Sequence, residues 1–302
     1  MLCVAFATAL IVPFDLFLFA YAFLGPLHYL TEIRWLHAKK YFAAQHVGWW
    51  AILFGLLVIT LTAIFLPQEG VDPTIIVFFL LAVLFTFPIN IFLFGGILIA
   101  TLFLFLYADS PVIILTTILL PTLIHVYFFT LIFMIQGALK NKNILYMVAP
   151  ILHVFFGIVC VYGGLTGYGT MSTYTSSIFL NGQFDFSHTF SQVGNAFFSG
   201  LHGAQDLLTS SQGIAISRLF AFAYTYHYLN WFIKTRIIGW AIMPHQTTIF
   251  IIFLWLISLS LYAYDYLLGI AVLALLSVLH VILEFPLNIR SMVSIVGKSS
   301  KT

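Results

Sequence analysis

Apolar runs of membrane-spanning length follow one another along most of the chain, separated by short polar or charged stretches. They fall at about 5–28, 47–66, 75–107, 112–135, 144–165, 214–233, 247–264 and 267–285. A helix needs about 20 apolar residues to cross a bilayer's hydrocarbon core, so each run reads as a candidate crossing. Composition agrees: the 302 residues are 62% hydrophobic and 7% charged, against about 25% charged in a soluble chain. A water-soluble fold is excluded, and the chain reads as an all-α, polytopic integral membrane bundle forming one domain.

The run at 75–107 is long for one helix, and Pro88 with Asn90 would either kink it or turn the chain between two short spans. Charge placement favours the turn. With nine spans, Arg34, Lys39, Lys40, Lys140, Lys142, Lys234, Arg236, Arg290, Lys298 and Lys301 share one side. Glu69, Asp72, Asp109, Asp185, Asp206 and Asp265 take the other. By the positive-inside rule the N-terminus is then outside and the C-terminus cytoplasmic, in a prokaryotic plasma (inner) membrane. A single helix over 75–107 gives eight spans and places Lys140 opposite Arg34. The apolar start has no basic n-region and reads as a retained helix rather than a targeting segment.

The one long loop, 166–213, is expected outside. Within it Phe190, Val193, Phe197, Leu201, Ala204 and Leu208 recur every three or four residues, the pattern of an amphipathic helix lying on the outer interface. Nucleic acid is excluded as a partner, because a net charge of +2 with no basic stripe cannot neutralise a row of phosphates. Cys3 and Cys160 lie in apolar stretches, so neither a disulfide framework nor a thiolate metal site is expected.

Ten histidines in so apolar a chain carry the chemical signal. His28, His125, His153, His227 and His280 fall inside predicted spans at similar depth, most of them toward the cytoplasmic side. Glu32, His46 and Glu284 stand at the boundary as candidate supports for the ligands. Imidazoles are costly in hydrocarbon unless paired, and intramembrane ionisable groups are functional suspects. Neutral imidazole is also the commonest metal ligand, and all-nitrogen sites suit iron, copper or zinc. The competing reading is that each histidine hydrogen-bonds a backbone carbonyl or a hydroxyl neighbour. His37, His188, His202 and His245 read as solvated, and Asp15 and Arg218 as a pair within the membrane. A short repeat accompanies the histidines: His28-Tyr29-Leu30 and His227-Tyr228-Leu229, each followed 18 residues later by another, His46 and His245.

The stretch Gly25-Pro26-Leu27-His28-Tyr29-Leu30-Thr31-Glu32 resembles the first-helix motif of the Brp/Blh membrane dioxygenases, which cleave β-carotene to retinal. That motif also has Gly, Pro and His, with an acid four residues after the His. Here Pro and Leu are exchanged, and Tyr29 and Leu30 replace small residues. Histidines from several spans hold one non-haem iron in that family. The resemblance thus implies that His28 is a ligand, with His125, His227 and His280 as the other candidates by position in later helices; depth alone adds His153.

Three functions follow as expectations. The first is a membrane non-haem iron oxygenase, an oxidoreductase acting on an apolar lipid or isoprenoid. The second is a cytochrome with haem b between histidines such as His125 and His227, exchanging electrons with a quinone. The third is a non-enzymatic subunit or transporter, to which the break at Pro88 and the Gly95-Gly96 pair would belong. The HxxHH boxes of di-iron desaturases are absent.

Overall fold

The computed structural model describes residues 1–39, 123–141, 144–163, 169–181, 186–195, 197–198, 200–201, 203–234 and 243–299. The expected spans at 47–66 and 75–107, the turn at Pro88, Gly95-Gly96 and His46 lie outside these. The described residues are almost entirely helical, and no strand occurs among them. Four of their helices are long and apolar enough to cross a membrane: Pro13–Lys39, Leu123–Asn141, Ile144–Tyr162 and His245–Tyr264. They are compatible with an integral membrane protein.

We label the helices α1 Leu2–Ile11, α2 Pro13–Lys39, α3 Leu123–Asn141, α4 Ile144–Tyr162 and α5 Thr173–Asn181. There follow α6 Phe186–Asn195, α7 Ala204–Thr209, α8 Ser211–Ile233, α9 His245–Tyr264 and α10 Tyr266–Ser299. The chain forms two compact units, one of Met1–Thr31 and Leu123–Leu273, the other of Glu32–Thr122 and Ala274–Thr302.

The run at 5–28 is not one helix. Val12 leaves helical geometry at φ −131°, and Pro13, which has no N–H to donate, starts α2 afresh. The carbonyl of Ile11 exposed by this break accepts hydrogen bonds from the Thr170 amide (3.0 Å) and hydroxyl (3.1 Å). Two residues beyond Pro13, Asp15 accepts from Ser172 Oγ at 2.6 Å and Thr175 Oγ1 at 2.7 Å. The segment 170–175 is thereby strapped across the α1–α2 break. The expected partnership of Asp15 with Arg218 is not formed: hydroxyls and an amide at the start of α5 supply the donors instead. Arg218 is buried elsewhere, within electrostatic reach of Cys160.

Helix α8 is the axis of the first unit. Residues on every side of it are buried from Ala215 to Tyr228, as expected of a helix enclosed by others. Its N-terminus is capped by the Ser210 hydroxyl, which accepts from the Gly213 amide at 2.9 Å. Aromatic pairs set the directions of its neighbours. Phe17 meets Phe220 and Tyr224, Tyr21 meets Tyr224, and Thr31 meets Trp231, so α2 runs parallel to α8. His153 meets Tyr226 and Phe156 meets Phe222, so α4 runs antiparallel to it. The hairpin partner of α4, helix α3, therefore runs with α8 and α2.

The expected single amphipathic helix over Phe190 to Leu208 is divided. Helix α6 ends at Asn195, and Gly200 (φ 94°) and Gly203 (φ 100°) take left-handed conformations before α7 begins. The Asn195 side chain bridges the gap, accepting from the Leu201 amide and donating to its carbonyl, both at 3.0 Å. Phe190, Val193 and Leu201 are buried, Phe190 stacking on Phe220 at 3.9 Å, while Phe197 is exposed. The apolar residues of this loop thus pack inward against α8.

In the second unit the described residues are 32–39 and 274–299. Glu32 and Leu36 are buried on the end of α2, and His280, Glu284 and Asn288 form a buried i, i+4, i+8 row on α10. Asn288 Nδ2 donates to Glu284 Oε2 at 3.5 Å.

Candidate metal centre

Two short sequence repeats become two spatial contacts. Because α2 and α8 run side by side in one direction, His28 lies against His227 and Tyr29 against Tyr228. The imidazole Nε2 atoms are 3.1 Å apart and the phenol oxygens 2.7 Å apart. Below them, the Trp231 indole N–H donates to the Thr31 hydroxyl at 3.0 Å, and that hydroxyl donates back into α2 at the Leu27 carbonyl. Gly25 makes the tyrosine pair possible, since a Cβ there would stand 3.1 Å from the Tyr29 oxygen and 3.4 Å from that of Tyr228.

The local backbone is unusual at both approaches to the site. A π-helical turn, Ala20–Leu24, precedes Gly25-Pro26, accommodating the proline's missing N–H, and His125 sits within a π-helical stretch over 123–129. Such stretches recur at functional sites. The His125 ring lies 5.1 Å from that of His227, and both are buried.

Thr130 decides how His227 is protonated. Its hydroxyl proton goes to the Val126 carbonyl at 2.8 Å, so toward His227 Nδ1, also at 2.8 Å, its oxygen accepts. Nδ1 then carries the proton and the Nε2 lone pair faces His28. Holding the ligand histidine's other nitrogen in this way is the usual arrangement around metal-bound imidazole. The separation also fits. Two nitrogens about 2.1 Å from one ion, at about 95° to each other, stand about 3.1 Å apart. Within the first unit, His28 and His227 are the buried pair that could hold a metal ion. Neutral buried nitrogens suit iron, copper or zinc and not magnesium or calcium. Rings of Tyr228, Trp231 and Phe232 surround His28, with centroids 5.1 to 6.5 Å away, and keep water from it.

His153 has a different environment. Its Nε2 donates to the Tyr127 carbonyl at 3.3 Å, and its ring stacks on Tyr127 at 4.3 Å and faces Phe222 and Tyr226. This is the carbonyl-bonded arrangement of a packing histidine. Glu32 and Glu284 are buried, four residues beyond His28 and His280 respectively, while His37 and His245 are exposed. Thr130, Trp231 and Thr31 escaped the reading of the sequence. A signal for Thr130 existed, since it is a hydroxyl five residues beyond His125 in an apolar run.

No family model, no curated protein and no solved structure matches the chain. The chemistry of the site therefore rests on its own residues.

Thr130 supplies the first prediction. Thr130→Val keeps the shape but removes the acceptor, freeing His227 to change tautomer. Metal affinity, measured by competition with a chromophoric chelator, is expected to fall about tenfold or more, as for other outer partners of ligand histidines. Thr130→Ser should restore it; equal affinity in all three proteins would refute the tautomer assignment.

Proposed function

We propose that this membrane-like helical protein holds one iron ion through His28 and His227, with His125 beside them, and acts as an oxygenase on an apolar lipid or isoprenoid. The observation that carries the reading is the 3.1 Å approach of two buried Nε2 atoms, one with its lone pair turned inward by Thr130. The likeness of Gly25 to Glu32 to the carotenoid-cleaving membrane dioxygenases supports the substrate class, as do the aromatic rings around His28. Bound iron would supply the activation of dioxygen. The chain's own part is to hold the Nδ1 proton of His227 on Thr130 and to fix both histidines through the Tyr29–Tyr228 and Trp231–Thr31 bonds. Its rings exclude water from the substrate's side.

The geometry disfavours haem b between His125 and His227. A macrocycle needs an open plane in front of each ligating nitrogen, whereas His227 Nε2 faces His28.

The purified, iron-loaded protein, mixed with β-carotene and other polyenes in air, tests the proposal by chromatography of products and a visible spectrum. Cleaved or oxygenated polyene without a haem band is expected. A haem band removed by His227→Ala, or oxidation of no apolar substrate, would overturn it.

For topology we propose nine crossings in a prokaryotic plasma membrane, N-terminus outside and C-terminus cytoplasmic. Helix direction supports this count: α2 and α3 run the same way, as expected with three spans between them. Single cysteines replacing Lys39 and Lys140, treated with a membrane-impermeant maleimide on intact cells, should both be protected and become reactive only after permeabilisation. Labelling of one and protection of the other would contradict nine spans.

A further inference from the structure

The strap 170–175 and the start of α10 frame a cleft separate from the histidines. Its volume is about 340 Å³, at the lower end of the range of small-molecule sites, about 300–1,000 Å³. One wall is the α2 face of Leu18, Phe19, Ala22 and Phe23; opposite stand Leu259 and Ala263 of α9. Phe19 is 55% exposed, so the cleft is open along that wall.

One end is polar. Asp15 lies there with Ser172 and Thr175, beside the phenols of Tyr174, Tyr262 and Tyr266. Two hydroxyls bind Asp15 Oδ1, while Oδ2 accepts the Ser172 amide at 3.1 Å. A carboxylate oxygen has room for another donor, so Oδ2 can receive one from a ligand. Tyr266 donates its proton to the Leu18 carbonyl at 2.8 Å, which leaves its oxygen as a second acceptor. Asp265 acts electrostatically on Tyr174 at the rim, and among the described residues no lysine or arginine lines the cleft. Negative charge and acceptors at one end of an apolar trough select a cationic donor carried on an apolar chain.

We infer that this cleft binds a single-chain amphiphile with an amine or ammonium head, the head on Asp15 and the chain between α2 and α9. The proposal is independent of the metal centre. The test uses the full-length protein in phospholipid nanodiscs with a dodecylamine carrying a photoreactive diazirine, and mass spectrometry of the labelled peptides. Saturable labelling of the α2 and α9 walls is expected, falling about tenfold in Asp15→Asn through loss of a charged hydrogen bond. Ala22→Trp, which fills the trough and leaves Asp15 and its strap untouched, should abolish it. The matching dodecanol and dodecanoate probes should label these peptides far less. Equal labelling by all three probes, or labelling indifferent to Ala22→Trp, would overturn the assignment.

Discussion

His28→Ala and His227→Ala, singly or together, should strip the protein of its metal. Loss of an outer partner weakens a metal site about 10- to 100-fold, and loss of a ligand should exceed that. Either change also leaves the other Nε2 without the atom it faces at 3.1 Å. The measurement is metal content after dialysis against a mild chelator, with helical content followed by circular dichroism. His153→Ala provides the contrast. Because its Nε2 is committed to the Tyr127 carbonyl, metal content should stay near that of the parent protein while stability falls. Equal metal loss in all three variants would indicate damage to the fold rather than removal of ligands.

The second large effect is on stability. Phe220 is 1% exposed, stacked on Phe190 and edge-on to Phe17. It joins α2, α6 and α8 at one point. Phe220→Ala removes a ring from a site closed on all sides, and such truncations cost about 3–5 kcal/mol. Thermal unfolding in detergent should shift down strongly, whereas Phe197→Ala, at a ring 39% exposed in the same loop region, should shift little. A small shift for Phe220→Ala would mean that α6 does not pack on α8 as described.

Much of the fold could be read from apolar periodicity, since helices near 144–162, 211–233 and 245–264 coincide with runs seen in the sequence. The break at Val12–Pro13 could not be read that way, because apolar residues continue unchanged across it and only the proline marks the place. The loop helix misled for a related reason. Its three- and four-residue spacing is genuine, yet Gly200 and Gly203 interrupt the backbone, and the residues face α8.

The candidate site was legible in part. Depth brought His28, His227 and His280 under suspicion together, and the repeated His-Tyr pair marked the two helices that meet. Depth could not separate His153 from the rest, because rotation about the helix axis decides whether a side chain meets another histidine or a carbonyl. It was equally silent on Asp15, whose partners Ser172 and Thr175 are about 160 residues away in sequence and arrive through a loop.

The central claim is that the buried histidines hold a transition-metal ion. The most direct measurement is metal analysis of the purified protein by mass spectrometry, joined to X-ray absorption at the edge of the metal found. The account predicts close to one iron per chain, with imidazole nitrogens about 2.1 Å from it and the signal lost in the His28→Ala/His227→Ala double variant. A well-folded protein that contains no metal and takes up neither iron, copper nor zinc would contradict it. His28 and His227 would then be simply a hydrogen-bonded pair.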